Sequence, residues 1–391
     1  MIDFEYYNPA KIVFGRDSLD KLKSLLKDLG VKSLLLVYSG DFIKDLGIYD
    51  GIKKAVDELG LDFIENGNVV PNPSIELVRE LVSLGKARGT DFVLAVGGGS
   101  SIDTAKAVAL GIPYDGDVWD FFDKGVNPDS VLPIGVISTL PASGSETSNA
   151  AILSNGEWKL GFEDNRIIPQ FAIMNPEYTV GLPPFQTAAG VADILSHLLE
   201  RYFTTVEHVD VTDYLIEGAV RALIVNGRKV IDNPKDIDAR SEIQWLATIA
   251  HNNLLDTGRI GDWGSHRIEH ELSAEYGLTH GEGMAIVLPA WIRYISKVNP
   301  KKTSQLYVRV FGGDVYNSTD EENTLLLADT LENFFISLGL RTRLTKLDIG
   351  SDRFEAMAKR ATRNGKVGHY IPLGVEEIVA ILDIALTGTD R

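Results

Sequence analysis

Four residues of the chain have side chains that can bind one divalent metal ion: Asp193, His197, His266 and His280. Asp193 and His197 lie one helical turn apart, so in a helix both side chains should project from the same face. A straight helix would separate His266 from His280 by about 21 Å, so we expect Gly277 to end the helix between them. One carboxylate with three imidazoles suits Fe, Zn, Mn or Ni better than Ca or Mg.

The alternative interpretation is that these histidines are ordinary helical residues satisfied by hydrogen bonds, which is the common situation for a single histidine. The chain contains 7 histidines, and four of them (197, 266, 270 and 280) fall into two short segments at spacings that suit metal ligands. This clustering favours a metal site. Because the chain contains no cysteine, thiolate ligands, disulfides and a thiol nucleophile are all excluded.

Length and charge restrict the class of protein. A chain of 391 residues is too long for one compact core, so we expect two domains, residues 1–183 and 184–391. The formal net charge of −17 argues against a nucleic-acid or anionic membrane partner. The acidic first residues differ from the basic start of a signal peptide, and the chain has no long apolar run. We therefore expect a cytoplasmic protein.

The pattern of apolar residues changes near residue 184. Before it, short apolar runs such as 33–38, 91–96 and 133–138 alternate with helical patterns, which predicts an α/β domain with a mostly parallel sheet. After it, the pattern predicts an all-helical domain, with helices over 184–203, 209–227, 236–257, 262–276 and 372–386. The fold class predicted is an α/β domain followed by an all-α domain.

A glycine-rich turn, Gly97-Gly98-Gly99-Ser100, follows a predicted strand and opens a predicted helix. Glycines allow a ligand to approach the backbone closely, and a helix N-terminus offers N–H donors to a diphosphate. The turn differs from the usual dinucleotide fingerprint, because Ile102 stands where the third glycine would fall. A tight structural turn is the alternative.

Two further segments can complete a nucleotide site. The loop 138–148 is rich in hydroxyl groups and small residues, although such a loop is often only polar surface. Asp41 follows the strand 33–38, where a carboxylate can bind the adenosine ribose and would repel a 2′-phosphate. An exposed loop aspartate is the alternative interpretation of Asp41.

Taken together, these residues resemble the iron-containing (group III) alcohol dehydrogenase family, and most closely its NAD(P)H-dependent butanol dehydrogenase branch. The resemblance covers nearly the whole chain, and its most specific parts are the turn 97–106, the Asp193/His197 pair and the segment 266–281. It implies the dehydroquinate-synthase-like fold of that family, in which a dinucleotide-binding α/β domain precedes a helical metal-binding domain. It also implies a homodimer.

The resemblance also implies residue roles. Asp193, His197, His266 and His280 match the metal ligands of the family, and His270 matches a histidine associated with a proton relay or the substrate. The cofactor contacts of the family match the following residues: Gly97, Gly98, Gly99, Ser100, Asp103, Thr139, Ser143 and Lys159, with Asn72 and Leu182 as further matches. Many butanol dehydrogenases have Gly-Gly-Gly-Ser where this chain has Ser39-Gly-Asp-Phe. The charge of Asp41 therefore favours NAD(H) over NADP(H).

The expected function is metal-dependent hydride transfer between a nicotinamide cofactor and a small or medium aliphatic alcohol or aldehyde of the butanol/butanal type. Fe(II) is the expected metal, with Zn, Mn and Ni as alternatives. A dehydroquinate-synthase-like lyase acting on a phosphorylated substrate is the alternative function, but no basic cluster lies near the ligand segments. A metal-dependent hydrolase would have no use for the glycine-rich turn.

Overall fold

The computed structural model describes residues 1–388 and divides the chain into two compact units. The α/β unit comprises residues 7–182, and the helical unit comprises residues 1–6 and the chain from residue 183 onward. The last three residues of the predicted second domain, 389–391, lie outside the described residues.

Eight strands lie within residues 7–182: β1 (Lys11–Phe14), β2 (Ser33–Tyr38), β3 (Asp62–Asn66), β4 (Phe92–Gly97), β5 (Ile134–Ser138), β6 (Ala150–Asn155), β7 (Trp158–Glu163) and β8 (Phe171–Met174). Six of these eight strands form a sheet in the order β1-β8-β5-β4-β2-β3, and every neighbouring pair in it is parallel. β6 and β7 form a separate antiparallel hairpin. The predicted parallel sheet is therefore confirmed.

Helices cover both faces of this sheet. They are α1 (Leu22–Asp28), α2 (Phe42–Asp45), α3 (Ile48–Leu59), α4 (Ile75–Arg88), α5 (Gly99–Gly111) and α6 (Trp119–Asp123). Successive residues of a strand point to opposite faces, so Leu34 and Leu36 of β2 pack with α1 and α3. Leu35 and Val37 pack with α4 and α5 on the other face. Burial on both faces explains why the strand sequence is continuously apolar.

The strand order reverses between β2 and β4, because β3 lies on one side of β2 and β4 lies on the other. β2 and β4 are paired in register, with Tyr38 opposite Val96, so the turns that follow these strands are neighbours. In open α/β sheets, ligands bind beyond the carboxyl ends of the strands at such a reversal. The sheet therefore positions the Asp41 turn beside the glycine-rich turn.

The helical unit contains α7 (Pro184–Tyr202), α8 (Asp210–Asp232), α9 (Ile237–His251), α10 (Gly264–Tyr276), α11 (His280–Ile295), α12 (Lys301–Leu306), α13 (Asp320–Ser337), α14 (Phe354–Ala361) and α15 (Val375–Thr387). The predicted all-helical character is confirmed. The helix predicted over 236–257 ends earlier, at His251, because Asn253 adopts a left-handed conformation with φ 66°. No helix within residues 1–388 has both the length and the apolar character to cross a membrane.

α11 forms the centre of the core of the helical unit. Every residue from Gly281 to Ile292 is buried, as expected for a helix that is surrounded by other helices rather than lying at the surface. Ala188 and Val191 of α7 and Ile268 of α10 belong to the same apolar cluster as Ile286 of α11. This core fixes the three helices that carry the predicted metal ligands.

Candidate metal centre and nucleotide site

α7 carries the first half of the candidate metal centre. Pro184 occupies the first turn of the helix, where a missing N–H is tolerated. Asp193 and His197 follow on one face, both 4% exposed. The Oδ1 atom of Asp193 lies 3.3 Å from Nδ1 of His197. The predicted convergence of these two side chains is therefore present.

The second half comes from α10 and α11. α10 ends at Tyr276, Gly277 adopts φ 67°, and α11 begins at His280, so the predicted break at Gly277 is confirmed. The ring centroids of His266 and His280 lie 5.2 Å apart. Nε2 of His280 lies 3.4 Å from Oδ1 of Asp193. The turn at Gly277 thus brings two histidines from different helices to the carboxylate on α7.

The four side chains form one cluster. Asp193, His266 and His280 each offer a ligand atom, and these atoms lie within 4.8 Å of one another. The ring of His197 joins them, with its centroid 4.8 Å from that of His266 and 6.4 Å from that of His280. The structure therefore brings together all four residues that the sequence singled out as candidate metal ligands.

The donor atoms suit a cation. Burial lowers the pKa of His197 and of His266 well below the ordinary histidine value, and neighbouring imidazoles lower each pKa further. Both rings are therefore neutral near pH 7, the form that binds metals. Nδ1 of His197 and Nε2 of His266 are buried, and within residues 1–388 neither has a hydrogen-bond partner. A divalent ion would satisfy such nitrogen atoms.

His270 lies at the edge of this cluster. It is half-buried on α10, one turn after His266. Its ring centroid is 5.6 Å from that of His280, and its ligand atom groups with Glu269 and His280 rather than with Asp193. This position separates His270 from the four candidate ligands and leaves its role a prediction.

Three neighbours of the candidate metal centre were not predicted from the sequence. Glu200 and Glu269 are buried beside His266 and His280 respectively. The ring centroid of His251 lies 4.4 Å from that of His197. The position of Glu200 on α7 carried a usable signal, because it lies three residues after His197, on the same helical face.

A buried acid lies behind the turn into α10. The carboxylate of Asp262 is fully buried and accepts hydrogen bonds from the backbone N–H groups of Gly264, Tyr370 and Ile371. Burial, together with the charge of Glu200, raises the pKa of Asp262 to about 7. Asp262 thus ties the start of α10 to the segment 368–371.

The glycine-rich turn joins β4 to α5. Gly97 has φ 146°, which favours glycine. A Cβ atom on Gly98 would lie 3.0 Å from Cβ of Leu140, and one on Gly99 would lie 2.6 Å from Oγ of Ser143. The backbone of the turn therefore packs against the loop after β5, and α5 begins within the turn, at Gly99. Its N-terminal N–H groups can bind an anion.

The neighbouring turns bring other predicted cofactor residues to the same edge of the sheet. β5 is the other neighbour of β4, and the N–H of Thr139 donates to the carbonyl of Gly97 over 3.0 Å. Asp41 begins α2 after β2. Its side chain is 82% exposed and forms an ion pair with Lys44 at 2.7 Å. Three adjacent strand ends thus carry Asp41, the glycines with Ser100, and Thr139 with Ser143.

Asp103 has protein partners of its own. Its carboxylate accepts hydrogen bonds from Ser145 Oγ over 2.6 Å and from the N–H of Ile152 over 3.0 Å, and burial raises its pKa. The buried ammonium of Lys106 donates to the carbonyl oxygen atoms of Ser148 and Ala150 over 2.8 Å. These contacts connect α5 to the hairpin, and a cofactor contact of Asp103 stays a prediction.

Three predicted cofactor residues lie elsewhere in the α/β unit. Asn72 has a left-handed backbone with φ 56° and follows β3, the neighbour of β2. Lys159 lies on β7 of the hairpin. Leu182 is half-buried at the end of the unit. Their contacts with a cofactor stay predictions.

Comparison with known proteins extends over both units. The family model "Iron-containing alcohol dehydrogenase" matches residues 9–176, and "Fe-containing alcohol dehydrogenase family, C-terminal" matches residues 187–386. A probable NADH-dependent butanol dehydrogenase of Bacillus subtilis is 38% identical over 99% of this chain and 100% of its own length. The NADPH-dependent aldehyde reductase YqhD of Escherichia coli is 33% identical over 93% of this chain and 94% of its own. The crystal structure of NADH-dependent butanol dehydrogenase A from Thermotoga maritima superimposes with a TM-score of 0.94, at 33% identity and coverage of 98% and 99%.

Proposed function

Because the chain belongs to the iron-containing alcohol dehydrogenase family, we propose that it transfers hydride between NAD(H) and a small or medium aliphatic alcohol or aldehyde of the butanol type. As a member of this family the chain is an oxidoreductase of alcohols and aldehydes. The observation that carries the proposal is the cluster of one carboxylate and three imidazoles, in a chain that also has a glycine-rich turn at a sheet reversal.

The metal is held by Asp193, His197, His266 and His280 in this proposal. The family uses a divalent metal, and we assign Fe(II), with Zn, Mn and Ni as alternatives that the same nitrogen and oxygen ligands accept. When bound, such an ion acts as a Lewis acid on the oxygen of the substrate. Asp193, His197 and His266 are buried, and their burial keeps water away and strengthens their interaction with a cation.

The α/β unit binds the cofactor in this proposal. The N-terminus of α5 and the backbone of the glycine-rich turn hold the diphosphate, and Thr139 and Ser143 supply hydroxyl groups beside it. The nicotinamide would supply the hydride that the carbonyl carbon of the aldehyde accepts, and the aldehyde oxygen would gain a proton. We assign the delivery of that proton to His270, because an imidazole at the edge of the cluster exchanges protons readily near neutral pH.

We propose NAD(H) rather than NADP(H). Asp41 places a carboxylate after β2, where it can accept from ribose hydroxyl groups and would repel a 2′-phosphate. The ion pair of Asp41 with Lys44 is exposed, so it contributes little to stability. A ribose can therefore replace Lys44 as the partner of the carboxylate. The name of the Bacillus subtilis relative also specifies NADH, whereas that of the Escherichia coli relative specifies NADPH.

We also propose a cytoplasmic homodimer, on the family resemblance. Light scattering on the purified protein tests the dimer, which should give twice the mass of one chain. A monomer at the concentrations used for assays would refute it.

The experiment that tests the function is a steady-state assay of aldehyde reduction. The protein is stripped of metal, reconstituted separately with Fe(II), Zn(II), Mn(II) or Ni(II), and assayed with butanal and either NADH or NADPH. We expect turnover only with metal and a higher kcat/KM with NADH. The matched control is Asp193→Asn, which has nearly the same shape as the native residue but binds the cation weakly. If no metal restores turnover, the dehydrogenase assignment for this substrate class is wrong, and the lyase should be tested next.

A further inference from the structure

Glu200 lies at the end of α7 with its carboxylate enclosed by the turn that begins α10. The side chain is 1% exposed. Its Oε1 atom accepts from Nδ1 of His266 over 2.9 Å, from the N–H of His266 over 3.0 Å and from Ser265 Oγ over 2.7 Å. Oε2 accepts from the N–H of Trp263 over 2.7 Å. Since the carboxylate only accepts here, Nδ1 of His266 carries a proton and Nε2 carries the free lone pair.

Glu269 makes the corresponding contact one helix further on. It lies on α10, is fully buried, and its Oε2 atom contacts Nδ1 of His280 while Oε1 contacts Ser273 Oγ. A Cβ atom on Gly283 would lie 2.7 Å from Cγ of Glu269. The glycine at this position of α11 therefore makes room for the carboxylate. Nε2 of His280 then faces Asp193.

These contacts form a closed ring across three helices. Glu200 of α7 contacts His266 of α10, and Glu269 of α10 contacts His280 of α11. His280 in turn contacts Asp193, which lies on α7 again. In both histidines Nδ1 is held by a glutamate, which leaves Nε2 for the cluster. Each glutamate thus lies on one helix and holds the imidazole of a histidine on the next helix.

We propose that Glu200 and Glu269 are positioning residues that fix the tautomer and orientation of His266 and His280, so that the metal centre is already formed before the ion binds. This inference rests on the proposed metal site. A carboxylate behind a ligating imidazole also makes the ring a stronger donor, and losing such a partner typically weakens metal binding by about 10–100-fold.

Glu269 is the better of the two positions for a conservative substitution. In Glu269→Gln the amide oxygen can still accept from His280, and the amide NH2 can donate to Ser273, whose hydroxyl lies 3.1 Å from the carbonyl of Leu278 and can turn to it. The hydrogen bonds with His280 and Ser273 can therefore be kept while the charge is lost. At Glu200 the same change would place an NH2 group against a backbone N–H, because both oxygen atoms accept there.

The experiment measures the dissociation constant for Zn(II) by competition with a chelator, and the visible spectrum of the Co(II)-loaded protein. The variants are Glu269→Gln, Glu269→Ala and Glu200→Gln. The matched control is Glu217→Gln, since Glu217 is also fully buried in the helical unit but accepts from Tyr202 and Arg309. Thermal unfolding of each metal-free variant separates binding from folding.

We expect the dissociation constant to rise about tenfold in Glu269→Gln and up to about 100-fold in Glu269→Ala and Glu200→Gln, with an altered Co(II) spectrum. Glu217→Gln should bind Zn(II) with the same dissociation constant as the wild type. Unchanged constants in the Glu200 and Glu269 variants, or an equal loss in the control, would overturn the inference. If the wild type itself binds no metal, the proposed metal site fails instead, and the two failures are distinguishable.

Discussion

Replacing Gly281 with alanine should move α11 away from α7 and weaken the metal centre. Gly281 is the second residue of α11, directly after His280. A Cβ atom at this position would lie 2.6 Å from the carbonyl carbon of Ala189 and 3.0 Å from its Cα atom, both in the backbone of α7. Backbone atoms inside a helix cannot rotate away as a side chain can, so the two helices themselves must separate.

The size of the displacement follows from ordinary contact distances. Carbon atoms in van der Waals contact are about 3.5–4.0 Å apart, so α11 must retreat by roughly 1 Å. His280 moves with it, whereas metal sites tolerate only about 0.2 Å in their bond lengths. Overpacking of this kind costs about 1–3 kcal/mol of stability. We expect a loss of metal affinity of at least about tenfold.

The matched control is Gly218→Ala in α8, where a Cβ atom would meet no atom within 4 Å. The same substitution there should stabilise the protein by about 0.5–1 kcal/mol, because alanine favours the helix. The assay is chemical unfolding of the metal-free protein, together with chelator competition for Zn(II). If Gly281→Ala unfolds at the denaturant concentration of the wild type and binds Zn(II) equally well, the close approach of α7 and α11 does not hold the centre together.

Three further predictions concern the cofactor, a buried lysine and the metal. In Asp41→Gly, kcat/KM with NADPH should rise about tenfold relative to NADH, because the charge that repels a 2′-phosphate is gone; an unchanged ratio would contradict the role of Asp41. Burial lowers the pKa of Lys106 to about 8 from 10.5, so the folded state disfavours its charged form below pH 8, and this penalty disappears as the pH rises towards 10.5. The free energy of unfolding should therefore increase with pH in that window, by at most about 3 kcal/mol relative to Lys106→Met, and parallel pH profiles would refute this. Metal at 100 times its dissociation constant should stabilise the protein by about 2.7 kcal/mol in denaturant titrations, whereas Asp193→Asn should show no such gain.

The fold was largely predictable because burial produces a clear pattern of apolar residues along the sequence. β2 is continuously apolar because both faces of the sheet are covered, and the change to helical periodicity near residue 184 reflects the helical unit. The partners of a strand are less visible, since a short apolar run does not specify what it pairs with. β6 pairs with β7 outside the parallel sheet, and only the fold reveals the contacts of Lys106 and Asp103 that connect this hairpin to α5.

The candidate metal cluster was predictable where spacing alone decides geometry. Residues four apart in a helix share a face, which places Asp193 beside His197. A glycine between two histidines can end a helix, as Gly277 does. His251 was missed because it comes close to His197 only through the packing of α9 against α7. Such proximity depends on the whole helical core and has no local signature.

Glu200 and Glu269 show why the surroundings of a site are harder to predict than its ligands. A glutamate in a helix is almost always exposed, so residue type alone assigns both residues to the surface, and only the spacing of Glu200 from His197 indicates otherwise. Burying a carboxylate is unfavourable unless donors or cations surround it, and here each carboxylate is surrounded by donors of the polypeptide, including one imidazole N–H. The proposed ion would add a further compensation, since Asp193, Glu200 and Glu269 would place three negative charges around two positive ones. The hydrogen bonds that make these glutamates tolerable inside the core are therefore the same bonds that orient His266 and His280.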